Sequence, residues 1–400
     1  MTKILKNIKG DRTIWAIVAL LAIFSFLPVY SASTNLVYVV ENGTTSGHLL
    51  KHAMLLVLGF VIMYATHKIP YRYFSGLSIL LIPVILVLLV YTLMQGQTIS
   101  GVNASRWIRI PFVGIGFQTS TLAGVIVMMY VARYLAKNKE KKITFKESIV
   151  QLWLPVGFVL MLILPANFST TAIIFTTVLM LTFMGGYPLK YLASILGIGV
   201  VVFMLFLLTA KAFPDAFKGS RINTWVSRIE NFAEQDDETN YQAEKAKVAI
   251  ASGEIPGKGP GKSVQKNFLP QSSSDFIYAI IIEEFGLIGG LFLLILYLGL
   301  LFRIVIVANK TETIFGTLLV LGVGFPIIFQ AFINMAVAVG LFPVTGQPLP
   351  LISAGGTSIW MTCFALGIVL SVSANREIEI SKNNKLDDDN PLKILHEAIG

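Results

Sequence analysis

Residues 276–307 read Phe-Ile-Tyr-Ala-Ile-Ile-Ile-Glu-Glu-Phe-Gly-Leu-Ile-Gly-Gly-Leu-Phe-Leu-Leu-Ile-Leu-Tyr-Leu-Gly-Leu-Leu-Phe-Arg-Ile-Val-Ile-Val. Only Glu283, Glu284 and Arg303 are charged in this stretch, and no face repeats as polar. A helix crosses the hydrocarbon core with about 20 apolar residues, so this run predicts a membrane span with length to spare. The same rule, applied outward along the chain, predicts spans at 13–30, 49–66, 74–94, 117–135, 149–165, 169–183, 189–210, 313–339 and 357–374. With 276–307 they make ten; the short pair at 149–165 and 169–183 also fits a re-entrant arrangement. Composition agrees. Of 400 residues 55% are hydrophobic and 13% charged, against about 25% charged in soluble domains. This excludes both a water-soluble globular domain and a disordered chain. The fold class is an all-α polytopic membrane protein. The single cysteine, Cys363, excludes an intrachain disulfide. His48 and His52 share a helix face but make a poor metal site by themselves.

Charge gives the orientation. If the N-terminus is inside, nineteen of the 31 Lys and Arg fall in inner segments and three (Lys51, Arg106, Arg109) in short outer loops. The other nine lie in the long segment 211–275, and long loops obey the positive-inside rule poorly. Both termini are therefore expected in the cytoplasm. The formal net charge of +9 reflects topology and contact with anionic lipid headgroups, not nucleic-acid binding. The expected organisation is one membrane domain, 1–375, with a large outer loop, 211–275, and a disordered cytoplasmic tail, 376–400.

The outer loop carries the chemistry-bearing patterns. Ile222, Trp225, Ile229 and Phe232 recur at helical spacing and predict an amphipathic surface helix. Residues 241–252 predict a second helix, stopped by Gly253 and Pro256. Gly257-Lys258-Gly259-Pro260-Gly261-Lys262 suits either a phosphate cradle of backbone N–H groups and ammonium charge, or a plain flexible turn. Asp275 opens the 276–307 span. It reads as a helix N-cap or as a general base at the membrane boundary, and the residue pattern by itself favours the cap. Glu283 and Glu284 follow roughly 12–14 Å further along the helix. Carboxylates in a span usually face a cavity or a partner, and Arg106 and Arg109 are the expected partners. Gly286 and Gly290 read as a helix-packing face. The last outer loop, 340–358, is too rich in Pro and Gly for a helix and too apolar for a free loop. It is expected to fold back and line a polar cavity, offering Ser353, Thr357, Ser358 and glycine N–H groups to an anionic or sugar ligand.

Several of these stretches together resemble the SEDS family of bacterial membrane glycosyltransferases, FtsW and RodA. The most specific block is Tyr241-Gln242, Ala249-Ile250-Ala251-Ser252-Gly253, Gly257-Lys258-Gly259, Gln265-Lys266, Leu269-Pro270, Asp275-Phe276 and Glu283-Glu284-x-Gly286. A second is Gly340-Leu-x-Pro343-x-x-Gly346 with Pro348-Leu-Pro-Leu-Ile-Ser353-x-Gly355-Gly356-x-Ser358. A weaker third is Val102-Asn103-Ala-Ser-Arg106-Trp107-Ile108. The blocks keep their order, and the resemblance covers all ten spans.

The resemblance implies polymerisation of lipid II into peptidoglycan strands on the outer face of the bacterial cytoplasmic membrane. The family's essential aspartate matches Asp275, which gives it the base role over the cap. A carboxylate there takes the proton from the acceptor GlcNAc 4-hydroxyl as it attacks the donor anomeric carbon. Single displacement inverts the anomer and yields a β-1,4 strand. The polyprenyl diphosphate leaving group needs charge stabilisation, for which Arg106, Lys258 and Lys262 are candidates, with Ser353, Gly355, Gly356 and Ser358 as further substrate contacts. A divalent cation, Mg2+ or Mn2+, is the only cofactor expected. Three family features are altered. The usual glycine before Ala104 is missing, Thr121 replaces a usual glutamate, and Asn167 replaces a usual aspartate. The implied partner is a class B penicillin-binding protein, a transpeptidase, with other divisome proteins. Short tails and a compact last loop are more similar to FtsW, acting in division, than to RodA, acting in elongation. A lipid II flippase or a non-catalytic scaffold are the rival classes, and loss of Asp275 separates them from an enzyme.

Overall fold

A computed structural model of the chain describes residues 9–38, 44–95, 98–99, 102–103, 107–109, 116–141, 143–212, 241–269 and 271–388. The described residues build eleven helices: α1 (Arg12–Tyr38), α2 (Thr45–His67), α3 (Arg72–Met94), α4 (Thr119–Lys137), α5 (Phe145–Ile163), α6 (Phe168–Met184), α7 (Leu189–Ala212), α8 (Tyr241–Gly253), α9 (Ile277–Asn309), α10 (Ile314–Ala338) and α11 (Thr357–Asp388). Nine are long and apolar enough to cross a membrane, and α6, with 17 residues, is a shorter apolar helix. α5 carries a π-helical turn at Ile149–Trp153. Two small hairpins, Thr98–Ile99 with Val102–Asn103 and Trp107–Arg109 with Gly116–Gln118, join α3 to α4. The ten predicted spans fall on ten of these helices, with bounds a few residues apart except at the C-terminal ends of α1 and α11, which run on to Tyr38 and Asp388.

Two expectations change, and a third lies outside the described residues. The predicted tail boundary at 375 falls inside α11, which continues to Asp388 because no Gly or Pro interrupts 376–388 and Pro391 is the first breaker. The predicted amphipathic helix around Ile222–Phe232 lies outside the described residues. Gly286 and Gly290 do not form a helix-packing face, for the reason given below.

In lipid, apolar burial does not drive helices together; close approach of small residues does. α2 and α11 pack along most of their apolar length. A Cβ on Gly59 of α2 would sit 2.9 Å from the Cys363 sulfur, and one on Gly367 of α11 would sit 2.7 Å from Thr66 Cβ. α10 lies between α4, α9 and α11. α7 touches α6 through Phe203, which stacks on Phe168, but no residue of its apolar window is buried against the described chain. Far from Asp275, Asp11 caps α1 through the N–H groups of Thr13 (2.9 Å) and Ile14 (3.1 Å) and pairs with Arg303 of α9.

α9 is not continuous. Gly286 has φ 68° and ψ −171°, a region essentially restricted to glycine. A Cβ there would lie 2.0 Å from the Ile255 carbonyl oxygen, whereas one on Gly76 of α3 would meet nothing within 4 Å. Gly286→Ala is therefore expected to lower stability by roughly 1–3 kcal/mol from backbone strain alone. Gly76→Ala is expected to leave stability unchanged or slightly raised. Thermal unfolding in detergent reads both, and equal melting temperatures for the two variants would refute the assignment.

Candidate functional site

The loop after α8 is inserted into the break of α9. The Lys258 N–H donates to the Glu283 carbonyl (3.0 Å), the Gly259 N–H to the Glu284 carbonyl (2.9 Å), and the Leu287 N–H to the Glu254 carbonyl (2.9 Å). In an unbroken helix the Glu283 carbonyl would serve Leu287. The approach is close enough to need glycine on both sides. A Cβ on Gly253 would lie 2.1 Å from the Ile282 oxygen, and one on Gly257 2.3 Å from the Glu284 oxygen. Gly290 leaves room for Ile282 and Tyr278 on the other arm of its own helix. The two glycines read as a packing motif thus accommodate a loop and a kink.

Glu283 and Glu284 secure the insertion. They are 0% and 1% exposed, sealed beneath the loop rather than facing a cavity. Glu283 accepts from Lys258 Nζ (2.7 Å), the Val264 N–H (3.0 Å), the Gln265 N–H (3.2 Å) and the Ser263 hydroxyl. Glu284 accepts from the Ser31 hydroxyl and the Ser263 N–H (3.3 Å). Lys266 Nζ donates to Ser31 Oγ (3.1 Å) and the Gly261 carbonyl (2.8 Å). Among the described residues Glu283 has a lysine partner. Arg106 lies outside the described residues, as does the Arg109 side chain, and Lys258 supplies the charge for Glu283. The phosphate-cradle reading of 257–262 is corrected for the same reason. The N–H groups of Gly257, Lys258 and Gly259 already serve carbonyls of the chain. Lys262 alone of the two candidate lysines stands exposed.

Asp275 sits at the head of α9 in a tight turn. The N–H groups of Ser274, Asp275 and Phe276 all reach the Gln271 carbonyl, at 3.1, 3.1 and 3.3 Å. The cap position of α9 belongs to Phe276 and carries no side-chain cap bond. The cap reading of Asp275 is therefore corrected. Asp275 is half-buried, and three successive carbonyls around it are held from outside the turn. Ser273 O accepts from the Ala354 N–H (2.9 Å), Ser274 O from Ser353 Oγ (2.6 Å), and Asp275 O from Asn334 Nδ2 (2.7 Å).

The last loop, 340–356, folds back as expected. Gln330 Nε2 binds the Pro348 carbonyl (2.7 Å), the Tyr297 hydroxyl binds the Pro350 carbonyl (2.5 Å), and Gln347 Nε2 reaches Thr170 Oγ1 (3.1 Å) and Asn167 Oδ1 (3.4 Å). Asn167 also caps α6 through the Thr170 N–H. Ser353 is 1% exposed and spent on the Ser274 clamp and the Leu349 N–H, so it is no ligand group. The Gly355 N–H donates to the Ser353 carbonyl (2.7 Å), and Gly356 turns the chain at φ 51°. Thr357 Oγ1 accepts from the Gln118 N–H (3.1 Å), and a Cβ on Gly356 would lie 4.0 Å from Trp107. The hairpin next to Arg106 thus meets the glycine turn. Ser358 lines a mostly apolar cavity of about 70 Å³ into which Gln118, Ser120, Thr170, Gln330 and Gln347 bring the polar groups. A larger apolar cavity of about 350 Å³ opens between α6, α10 and the loop, lined by Phe168, Ile173, Phe329, Ile333, Phe342 and Val344.

A family model described as "Cell cycle protein" (FtsW, RodA, SpoVE) matches residues 11–378. The chain belongs to the FtsW/RodA/SpoVE family. A relative from Hydrogenovibrio crunogenus, named "Probable peptidoglycan glycosyltransferase FtsW", is 32% identical over 365 residues, covering 90% of each chain. A solved structure described as structural coordination of polymerization and crosslinking by a peptidoglycan synthase complex contains a chain 25% identical to this one. Its TM-score is 0.70, and the match covers 92% of this chain and 98% of that one. RodA of Thermus thermophilus, at 23% identity and TM-score 0.65, covers 92% of this chain and 97% of its own and shares the fold. This FtsW/RodA/SpoVE member is a multi-pass membrane protein.

Among the described residues no group of three His, Cys, Asp or Glu side chains is placed to hold a metal ion. Glu283 and Glu284 are engaged by donors of the chain itself. The described donor set does not fit a resident divalent cation. Reading the sequence missed Gln330 and Asn334, an amide pair one turn apart in an apolar span. The signal was present, since such groups are costly at membrane depth and take partners.

The Lys258–Glu283 pair is expected to hold the inserted loop. Lys258→Met leaves a sealed carboxylate without its cation and should cost about 2 kcal/mol, less than a fully buried pair because Lys258 is partly exposed. Adding Glu283→Gln should recover part of that loss, while Lys262→Met should cost nothing. Identical unfolding temperatures for the two lysine variants would contradict the pairing.

Proposed function

We propose that this chain is the peptidoglycan glycosyltransferase of a division machinery. In this reading it polymerises lipid II into β-1,4 glycan on the outer face of the bacterial cytoplasmic membrane. The observation that carries the reading is the half-buried Asp275, set on a fixed turn at the head of α9. It occurs in a chain whose curated relatives are named for this activity. Asp275 accepts the proton of the acceptor GlcNAc 4-hydroxyl as that oxygen attacks the donor anomeric carbon. The bond to the diphosphate breaks on the opposite side, the anomer inverts, and polyprenyl diphosphate leaves with the electron pair. Arg106 and the exposed Lys262 are proposed to meet the diphosphate charge; Lys258, neutralised by Glu283, contributes to the fold of the loop instead. Gly355, Gly356 and Ser358 are proposed to border the sugars. The apolar cavity between α6 and α10 suits an isoprenoid chain by its lining. The divalent cation, Mg2+ or Mn2+, is proposed to arrive with the diphosphate as part of the substrate, and no step here depends on it.

A class B penicillin-binding protein is the proposed partner. The likeness to a chain from a peptidoglycan synthase complex supports it. Cytoplasmic termini follow from the lysine and arginine distribution. Cys363 is 0% exposed, so single added cysteines report sidedness over a low background. Lys262→Cys should react with an impermeant maleimide on intact spheroplasts, and Lys139→Cys only after lysis. The reverse pattern would invert the topology.

The activity test uses the protein purified with its transpeptidase, lipid II and Mg2+ or Mn2+. Wild type should yield glycan polymer. Asp275→Asn should lose about 10²–10⁴-fold in rate, the range for removing a general base, while remaining folded and partner-bound. Equal polymer from both would remove Asp275 as the base. Lipid II crossing vesicles without polymer from either would make the chain a flippase.

A further inference from the structure

Asn334 lies on α10, whose Phe329 and Ile333 line the apolar cavity, but Asn334 itself is not among the residues assigned above to proton transfer or substrate contact. It is 1% exposed. Its Nδ2 donates to two backbone carbonyls, Asp275 O at 2.7 Å and Gln347 O at 2.8 Å. The orientation of the amide is fixed by chemistry. Turned over, Asn334 would set its own carbonyl oxygen against two others. Gln330, one turn away on the same helix, binds Pro348 O at 2.7 Å. α10 thus grips two successive carbonyls of the last loop, and through Asn334 it also grips the turn that carries Asp275.

We propose that Asn334 is a positioning residue for the transferase reaction. By tying the Asp275 carbonyl to the Gln347 carbonyl it sets the carboxylate against the loop that borders the sugars. This rests on Asp275 being the base. Ser353 and Ala354 hold Ser274 O and Ser273 O from the loop side only. Asn334 is the group that references the same turn to a membrane helix. Its loss leaves Asp275 in place in sequence but free to shift relative to the acceptor hydroxyl. A displacement of about 1 Å at a reacting group costs on the order of 10²-fold in rate.

The test compares wild type, Asn334→Leu, Asn334→Ser, Gln330→Leu and Asp275→Asn, each purified with the transpeptidase and assayed over a range of lipid II concentrations. Leucine keeps the branched shape and removes both donated bonds; serine keeps one donor. The expected result is a kcat reduced about 10- to 100-fold in Asn334→Leu and less in Asn334→Ser. KM should stay within about twofold of wild type, because Asn334 contacts no substrate. Gln330→Leu should lose less kcat than Asn334→Leu, since it loosens the loop without releasing Asp275. A purely structural role would lower the melting temperature and the active fraction of both α10 variants alike, and active-site titration separates that from kcat. If Asn334→Leu does not fold, the serine variant carries the comparison. A folded Asn334→Leu or Asn334→Ser with wild-type kcat, or a change confined to KM, overturns the proposal while an inactive Asp275→Asn keeps the base. An active Asp275→Asn overturns the base and the positioning role together.

Discussion

The helix that opens at Ile277, just after the Asp275 turn, is interrupted nine residues into its span, and the loop from α8 is inserted into the gap. A backbone break at membrane depth leaves N–H and C=O groups without water to receive them. Here the loop supplies the missing partners, N–H groups for Glu283 O and Glu284 O and a carbonyl for Leu287. Gly253, Gly257 and Gly286 supply the space. The two adjacent carboxylates then fasten 258–265 over the break. Without this arrangement α9 would be straight, the loop would have no anchor, and the turn bearing Asp275 would have no defined exit from the membrane.

The reacting end is assembled by backbone carbonyls more than by side-chain packing. Ser273, Ser274 and Asp275 each lend an oxygen to a donor from the last loop or from α10. Buried carbonyls left unsatisfied cost about 1–3 kcal/mol each, so the turn and the loop order one another. The last loop is in turn fixed to α6, α9 and α10 by Gln347, Tyr297 and Gln330. Three helices therefore converge on the loop that clamps one short turn.

The membrane fold was legible because apolar run length is a one-dimensional property. Ten spans, the helix at 241–252 and the inward fold of 340–358 needed only local reading. The break in α9 was not legible. Residues 276–307 have no proline and a uniform apolar pattern, and the loop pairing that makes Gly286 non-helical comes from 30 residues upstream. For the same reason Glu283, Glu284 and Lys258 read as cavity and ligand groups, when Glu283 pairs with Lys258 and Glu284 accepts from Ser31 and Ser263. Ser353 read as a ligand hydroxyl because composition cannot tell a donor aimed at substrate from one aimed at a carbonyl. Asp275 was found through a family resemblance, and pattern alone made it a cap, a role its place one residue before Phe276 denies it.

The clamps around Asp275 grip main-chain oxygens. Address and occupant are therefore specified separately: Asn334, Ser353 and Ala354 fix where residue 275 stands and take no account of which side chain it bears. A site built this way can be disarmed without being dismantled. With Asp275 as the proposed base, a neutral isostere at 275 would present the same turn and loop to both sugars and so give a stalled complex in which donor and acceptor can be seen together.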